Sequence, residues 1–340
     1  ALLRPGQSAV VALDTTRLGP WEVWLAGIVV AGRTLPIGWA VIPYPWPKGR
    51  FRTTTLGLVR QLQAAFPPAV PWTLVADRGF PSALLFAQLR QGGTSFSVRL
   101  RLSDWVMVAR VYTTVAEHLV AGRLVDGQRT AATMGRGRPD QPLVPGWVVV
   151  STAVVAPPKH KQNPGTVRER AKRAKAHAQH RAHKQGRKTK PPSATAQRYG
   201  QTWVLFTTAP TVAQAAAEYA QRMPIEETFR DWHSGWGVRA AVVALPTEAM
   251  VDRLIGVVCV TYSLQMQLGQ RVSADPVGQR RRAQWTVTDR VSWFWCGQRL
   301  FNDPGYDWSA WLATQWDALP IPQVSVVSAP ESVPRLVEAA

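Results

Sequence analysis

Cysteine and acidic side chains are both scarce in this chain. Its 340 residues include only Cys259 and Cys296, too few for a disulfide framework or a cysteine zinc site, so a reducing, cytoplasmic compartment is expected. Aspartate and glutamate number 21 against 40 lysines and arginines, a formal net charge of +19. Such an excess favours polyanionic partners, nucleic acid first. No stretch approaches the roughly 20 apolar residues that cross a bilayer and no signal peptide is visible, so no membrane partner is expected. No Gly-x-Ser-x-Gly, Walker A or Gly-x-Gly-x-x-Gly context appears, which leaves nucleophile-elbow hydrolases, P-loop enzymes and dinucleotide binders without a motif. An initiating methionine is also missing, and the first acidic motif comes close to the start, so an upstream segment is expected.

What is present begins as a meander. Ala9 to Thr16, Val23 to Val30 and Thr34 to Ile42 read as three strands, with a hairpin turn at residues 31 to 33. Residues 52 to 66 switch to helical spacing through Leu56, Leu58, Val59, Leu62 and Phe66, and stop before Pro67-Pro68. Trp72 to Ala76 is a short strand, Pro81 to Gln91 a helix closed by glycines, and Ser95 to Leu100 a fifth strand. Strand, strand, strand, helix, strand, helix, strand is the element order of an RNase H-like α/β fold, a mixed sheet flanked by helices whose first and fourth strands are neighbours.

Residues 102 to 202 read as a strand-rich insertion between the fifth strand and the helix of Glu226, dividing the core into 1–101 and 203–270 and leaving a C-terminal region at 271–340. Val106 to Tyr112, Arg123 to Val125 and Trp147 to Val155 are its expected strands. Between Lys159 and Lys190 stand twelve lysines and arginines, four of the six histidines and one acid, Glu169. No apolar face exists there to hold a helix on a core, so the basic segment 157–197 is expected to stay mobile until it meets phosphate. His160, His177, His180 and His183 sit among too many positive charges to be good cation ligands. Trp203 to Thr207 returns to strand, Thr211 to Trp232 and Met250 to Leu268 read as helices, and the tail from Trp285 to Trp316 holds six of the sixteen tryptophans.

Three acids stand where this architecture would converge them. Asp14 and Asp77 close the first and fourth strands, in Asp14-Thr15-Thr16 and Asp77-Arg78-Gly79, and Glu226 lies on the helix after the insertion. At about 100° per residue, Tyr219, Arg222, Glu226, Arg230 and His233 fall within an arc of about 80° on one helix face. Pro224 interrupts that run and is expected to kink or restart the helix. Ile225 and Trp232 project to the side that would meet a sheet, while Asp231 points off the stripe. Asp104, Asp252 and Glu248 read as surface acids, and Glu117 and His118 have no spaced partner. Three carboxylates are hard oxygen ligands able to hold two Mg²⁺ or Mn²⁺ ions about 3.5–4 Å apart, and arginines beside them can bond phosphate bidentately. Taken singly, each acid also fits a bland role: a strand-end turn at Asp14 or Asp77, or a first-turn helix acid at Glu226.

At these residues the chain resembles the DDE transposases of bacterial insertion sequences, specifically the group named after insertion sequence four. Members share Asp-Thr-Thr on the first strand, Asp-Arg-Gly or a variant on the fourth, a strand-rich insertion, and Tyr-x2-Arg-x3-Glu-x6-Lys, here Tyr219, Arg222, Glu226 and His233 in the lysine position. The resemblance covers most of residues 9 to 270. It implies that Asp14, Asp77 and Glu226 are metal ligands and catalytic, that Tyr219 and Arg222 contact DNA phosphates near a transposon end, and that Trp203 is placed to stack on a flipped base. A buried strand aromatic is the other reading of Trp203. Arg230, His233 and the basic residues Lys172, Arg173, Lys175, Arg187 and Lys188 complete the expected DNA-binding set. The implied reaction is metal-dependent cleavage of transposon ends and strand transfer into double-stranded target DNA, by a homodimer on DNA in the nucleoid. A DNA-binding relic without activity and an RNase H-like nuclease are the competing functions. Members also normally carry an N-terminal helical region for end recognition; none is read here, so a catalytic core, a truncated relic or a fragment is expected.

Overall fold

A computed structural model describes residues 8–274 apart from 31, 68 and 153–201, together with 294 and 296–298. The opening meander is β1 (Ala9–Leu18), β2 (Trp21–Val30) and β3 (Arg33–Pro43), antiparallel throughout. Its turns use Gly19 and Gly32 at φ of 65° and 73°, a region costly for residues with a Cβ. Helix α1 (Arg50–Ala65) crosses to β4 (Trp72–Ala76), and α2 (Ala83–Gln91), capped by the Ser82 hydroxyl, crosses to β5 (Ser95–Arg99). Both crossovers return the chain parallel, so β1, β4 and β5 lie side by side.

The strands after β5 extend this sheet. β6 (Trp105–Val108), β7 (Val111–Thr114), β8 (Arg129–Met134), β9 (Val144–Ser151) and β10 (Trp203–Thr207) join it in the order β3-β2-β1-β4-β5-β10-β9-β8-β6-β7, ten strands in all. Three features differ from the sequence reading. Val106 to Tyr112 is a hairpin of two strands that reverses at Ala109 and Arg110, both at positive φ; Arg123 to Val125 is a turn following the six-residue helix α3 (Val115–Val120); and β8 had no strand signal. The basic segment 157–197 lies outside the described residues.

Alternation along the strands gives the sheet two buried faces. Val11, Leu13, Leu74, Ala76, Phe96, Val98, Val148 and Phe206 pack with α1 and α2 on one side. Ala12, Val23, Leu25 and Val75 pack on the other, beneath helices from the second half of the chain: α4 (Val212–Ala220), α5 (Met223–Arg230), α6 (Val238–Val243) and α7 (Glu248–Ala274) follow β10, and residues of α5, α6 and α7 join this cluster. The result is a mixed sheet between helical layers, as the RNase H-like order requires.

One expectation is corrected in α7. Glu248–Gln270 reaches the length and mean hydropathy, 1.2, of a helix able to cross a membrane, with 33% of it buried. Here Val251, Ile255, Val258, Tyr262 and Met266 form a stripe on the sheet, the Trp39 indole donates to Asp252 at 3.1 Å, and Gly256 lets that ring approach closely.

Candidate active site

Position follows from pairing. The parallel ladder between β1 and β4 ends at Leu13↔Ala76, although β1 itself runs on beside β2 to Leu18. Asp14 and Asp77 are therefore the first residues past the ladder on two adjacent strands. Leu13 and Ala76 face the α1 and α2 layer, so alternation sends Asp14 and Asp77 to the face that carries α5.

The polar stripe comes to this point in pieces. A proline at 224 would remove the bond to the Ala220 carbonyl and clash with it, and α4 ends at Ala220. After a turn at Gln221 and Arg222 the chain restarts as α5, with Pro224 in the first turn where its missing N–H costs nothing. A π-helical turn, Asp231–Gly235, then rotates the following residues relative to an ideal helix. Ile225 and Trp232 are fully buried against the sheet as expected, with Phe229 beside them.

Tyr219, Arg222, Glu226 and His233 all reach toward the strand ends despite these breaks. The Arg222 guanidinium donates from Nη1 to Asp14 Oδ2 at 2.7 Å and from Nη2 to Glu226 Oε1 at 2.5 Å, joining two acids 212 positions apart, 226 less 14. The Tyr219 hydroxyl donates to Asp77 Oδ1 at 3.0 Å, and the Thr15 N–H donates to Asp14 Oδ1 at 2.8 Å. His233 Nε2 and Thr16 Oγ1 share a hydrogen bond of 2.9 Å. Arg230 instead faces solvent and pairs with Glu227. Trp203 is buried, edge-on to Tyr219 with centroids 4.9 Å apart. Lys172, Arg173, Lys175, Arg187 and Lys188 lie outside the described residues.

Burial sets the electrostatics. It pushes the Asp14 carboxyl up to about 6 against the lowering charge of Arg222, with Asp77 and Glu226 near enough to raise it further. Burial also works to raise Asp77, but the Arg78 N–H, Arg222 and the Tyr219 hydroxyl outweigh it and hold that carboxyl below its ordinary range. Burial pushes Tyr219 up to about 12, keeping it a neutral donor. His233 is shifted down by burial and by Arg239, so it stays uncharged at neutral pH.

The donor set suits a divalent ion. Asp14, Asp77 and Glu226 supply hard carboxylate oxygens, and Asp14 is a half-buried acid whose ionised form a neighbouring cation favours. Arg222 provides that charge here, and its Nε is buried with no partner of its own. Among the described residues no three acidic, histidine or cysteine side chains stand as a ready metal cluster. The chemistry fits divalent ions, provided the guanidinium gives up its place between the acids; Glu226, 46% exposed, has room to turn.

Several supporting groups gave no sequence signal. Asp231, which the helical projection turns away from the stripe, is buried on Arg33 at 2.8 Å and accepts from the Tyr262 hydroxyl at 3.0 Å, tying α5 and α7 to β3. Ser97 donates to Glu218 at 2.7 Å behind Tyr219, and the Arg99 charge acts on Asp77. Asp252, expected at the surface, is half-buried on Trp39. His118 is fully buried, between the Val106 carbonyl and Arg123.

Residues 50–243, more than half of the 340, match the family model described as a transposase DDE domain. No curated protein matches the sequence. With its mixed sheet and with Asp14 and Asp77 just past the end of the ladder between two adjacent strands, this chain belongs to the DDE transposases, DNA-acting phosphoryl-transfer enzymes that use divalent metal ions.

Proposed function

We propose that the chain is a transposase of the group named after insertion sequence four, which cleaves transposon ends and joins them to target DNA, with Asp14, Asp77 and Glu226 as its catalytic acids. The observation that carries this reading is the Arg222 guanidinium bonded at once to Asp14 and Glu226, with Asp77 held by Tyr219 next to them. Three acids far apart in sequence thus serve one place on a rigid sheet. Two Mg²⁺ or Mn²⁺ ions held by these acids would activate the attacking hydroxyl and stabilise the leaving oxygen.

The chain's own groups have separate tasks. Tyr219 and the Arg78 N–H fix Asp77 in its ionised form. Arg222, released from the acids, is a planar donor pair suited to a DNA phosphate. Arg230 offers a second guanidinium from the solvent side, and neutral His233 offers a hydrogen bond where lysine would place a charge. Trp203 backs Tyr219, and stacking on an extruded base would require its ring to leave that contact. The segment 157–197, with Lys172, Arg173, Lys175, Arg187 and Lys188, supplies affinity for the backbone of double-stranded DNA. Two transposon ends must be paired in space, so a homodimer assembled on DNA is part of this reading.

The test is Mg²⁺-dependent nicking and strand transfer on terminal-repeat DNA, comparing the natural chain with Asp77→Ala. Lost turnover with retained DNA affinity is the expected result. No turnover in either protein, with salt-sensitive binding in both, would make the chain a DNA-binding relic. Cleavage indifferent to the terminal repeat would make it an RNase H-like nuclease.

A further inference from the structure

The sheet face that carries Asp14 and Asp77 does not stop at the active site. Register carries it outward across β5, β10, β9, β8, β6 and β7: Thr207↔Trp147, Val149↔Arg129, Thr133↔Met107 and Met107↔Tyr112 all lie on it. Helix α4 covers its inner part, where Val149 packs with Ala215 and Tyr219. Beyond Val149, no described helix packs on that face.

Its uncovered part is built from arginines lying on aromatic rings. The Arg129 guanidinium carbon is 3.5 Å from the centroid of Trp147, and that of Arg136 is 5.6 Å from Trp105 and 5.3 Å from Tyr112, whose rings are 5.4 Å apart. Trp105 is 44% exposed, so its ring is an accessible aromatic surface beside the Arg136 guanidinium. Arg136 is exposed and donates Nε to the Tyr112 hydroxyl at 3.3 Å, which restrains the plane of the guanidinium. A cation held flat on a ring loses less freedom on meeting an anion than one on a free chain. The strip is also stitched to the catalytic loop, because Arg101 donates to the Arg78 carbonyl at 2.6 Å and Asp104, next to Trp105, accepts from the Arg101 N–H.

We infer that this face, through Arg129, Arg136, Trp105, Tyr112 and Trp147, is a second DNA-binding surface that grips the phosphate backbone on one side of the cleaved bond. It rests on the transposase reading and adds where the duplex runs. From β4 to β6 the strand order counts five steps, about 24 Å at roughly 4.8 Å per step, or about seven base pairs at 3.4 Å each. The surface therefore meets DNA less than one helical turn from the acids.

The experiment is fluorescence anisotropy of the full chain with duplex DNA over a salt series, for the natural chain, Arg136→Gln, Trp105→Ala and Arg129→Gln/Arg136→Gln. The expected result for the double variant is weaker binding with a log–log salt slope shallower by about two, one per lost phosphate contact. Arg136→Gln, at an exposed site, should lower the slope by about one with its melting temperature unchanged, so it decides the matter if Arg129→Gln impairs folding. On duplexes cut back to fewer than about seven pairs beside the scissile bond, the difference between natural and variant chains should vanish on the side that runs over this face. Affinities and slopes equal to the natural chain's in Arg136→Gln and Trp105→Ala overturn the inference alone. A natural chain that fails to bind duplex DNA overturns it together with the transposase reading.

Discussion

Arg222 holds together two acids that would otherwise repel each other in a half-dry site. Asp14 is buried enough for its carboxyl to sit near 6 even with this arginine beside it. Arg222→Ala therefore leaves an acid without its counter-charge, and the expected cost is roughly 3 kcal/mol in urea denaturation at pH 7 with chelator present. Mg²⁺ should restore more stability to the variant than to the natural chain, and equal responses would contradict the role of the guanidinium as a stand-in cation. A second residue sets a pH dependence away from the site. Burial raises the Asp252 carboxyl above 3.8 against the Trp39 hydrogen bond. Between 3.8 and that raised value the folded chain binds more protons than the unfolded one, so this group costs stability as pH rises. Asp252→Asn keeps the acceptor for Trp39 and should gain stability relative to the natural chain across that window, flat above it, in denaturation at stepped pH. At this scale the acids were legible because Asp14 and Asp77 each follow an apolar run and Glu226 shares a stripe with other polar residues. Arg33 and Asp231, 198 positions apart, were not, since nothing in either neighbourhood marks the other.

Elements were legible where apolar period and punctuation agree. Trp72 to Ala76 and Trp203 to Thr207 are short runs, apolar but for one threonine each, and both are strands with those bounds. Pro224 gave the restart of the stripe helix for a definite reason, the carbonyl it would strike at Ala220. Arg129–Met134 failed to announce itself because only Ala132 and Met134 of its six residues are buried, and the rest of the strand is polar or small. The six-residue α3 is too short to show a period, and its capping box of Thr114 and Glu117 is its only signature. Packing between elements also makes a prediction. A Cβ built on Gly146 in β9 would lie 2.6 Å from the Phe206 ring, and Phe206 is locked against Phe86 and Phe96 in the core. Gly146→Ala should cost about 1–3 kcal/mol by overpacking, read from the urea midpoint. A neutral result would mean that the three rings can shift together.

Asp14, Asp77 and Glu226 gather on one face of a single sheet, and the described helices of the second half of the chain pack over that face. The long reach of this support is clearest at Phe294, which is fully buried in the same cluster as Ile225, Trp232 and α7. Its ring stacks on Tyr262 at 4.7 Å and lies 5.6 Å from Trp236, so a residue of the C-terminal region closes the core under the helix of Glu226. Tyr262 in turn donates to Asp231, the anchor of that helix on β3. Phe294→Ala should therefore remove a buried ring and leave a cavity, at a cost of about 3–5 kcal/mol. Urea denaturation measures the loss, and hydrogen exchange locates it: protection should fall first in Met223–Arg230 and Glu248–Ala274 and last in β4 and β5. A loss below about 1 kcal/mol, with exchange unchanged in those helices, would show that the core beneath Glu226 closes without the C-terminal region.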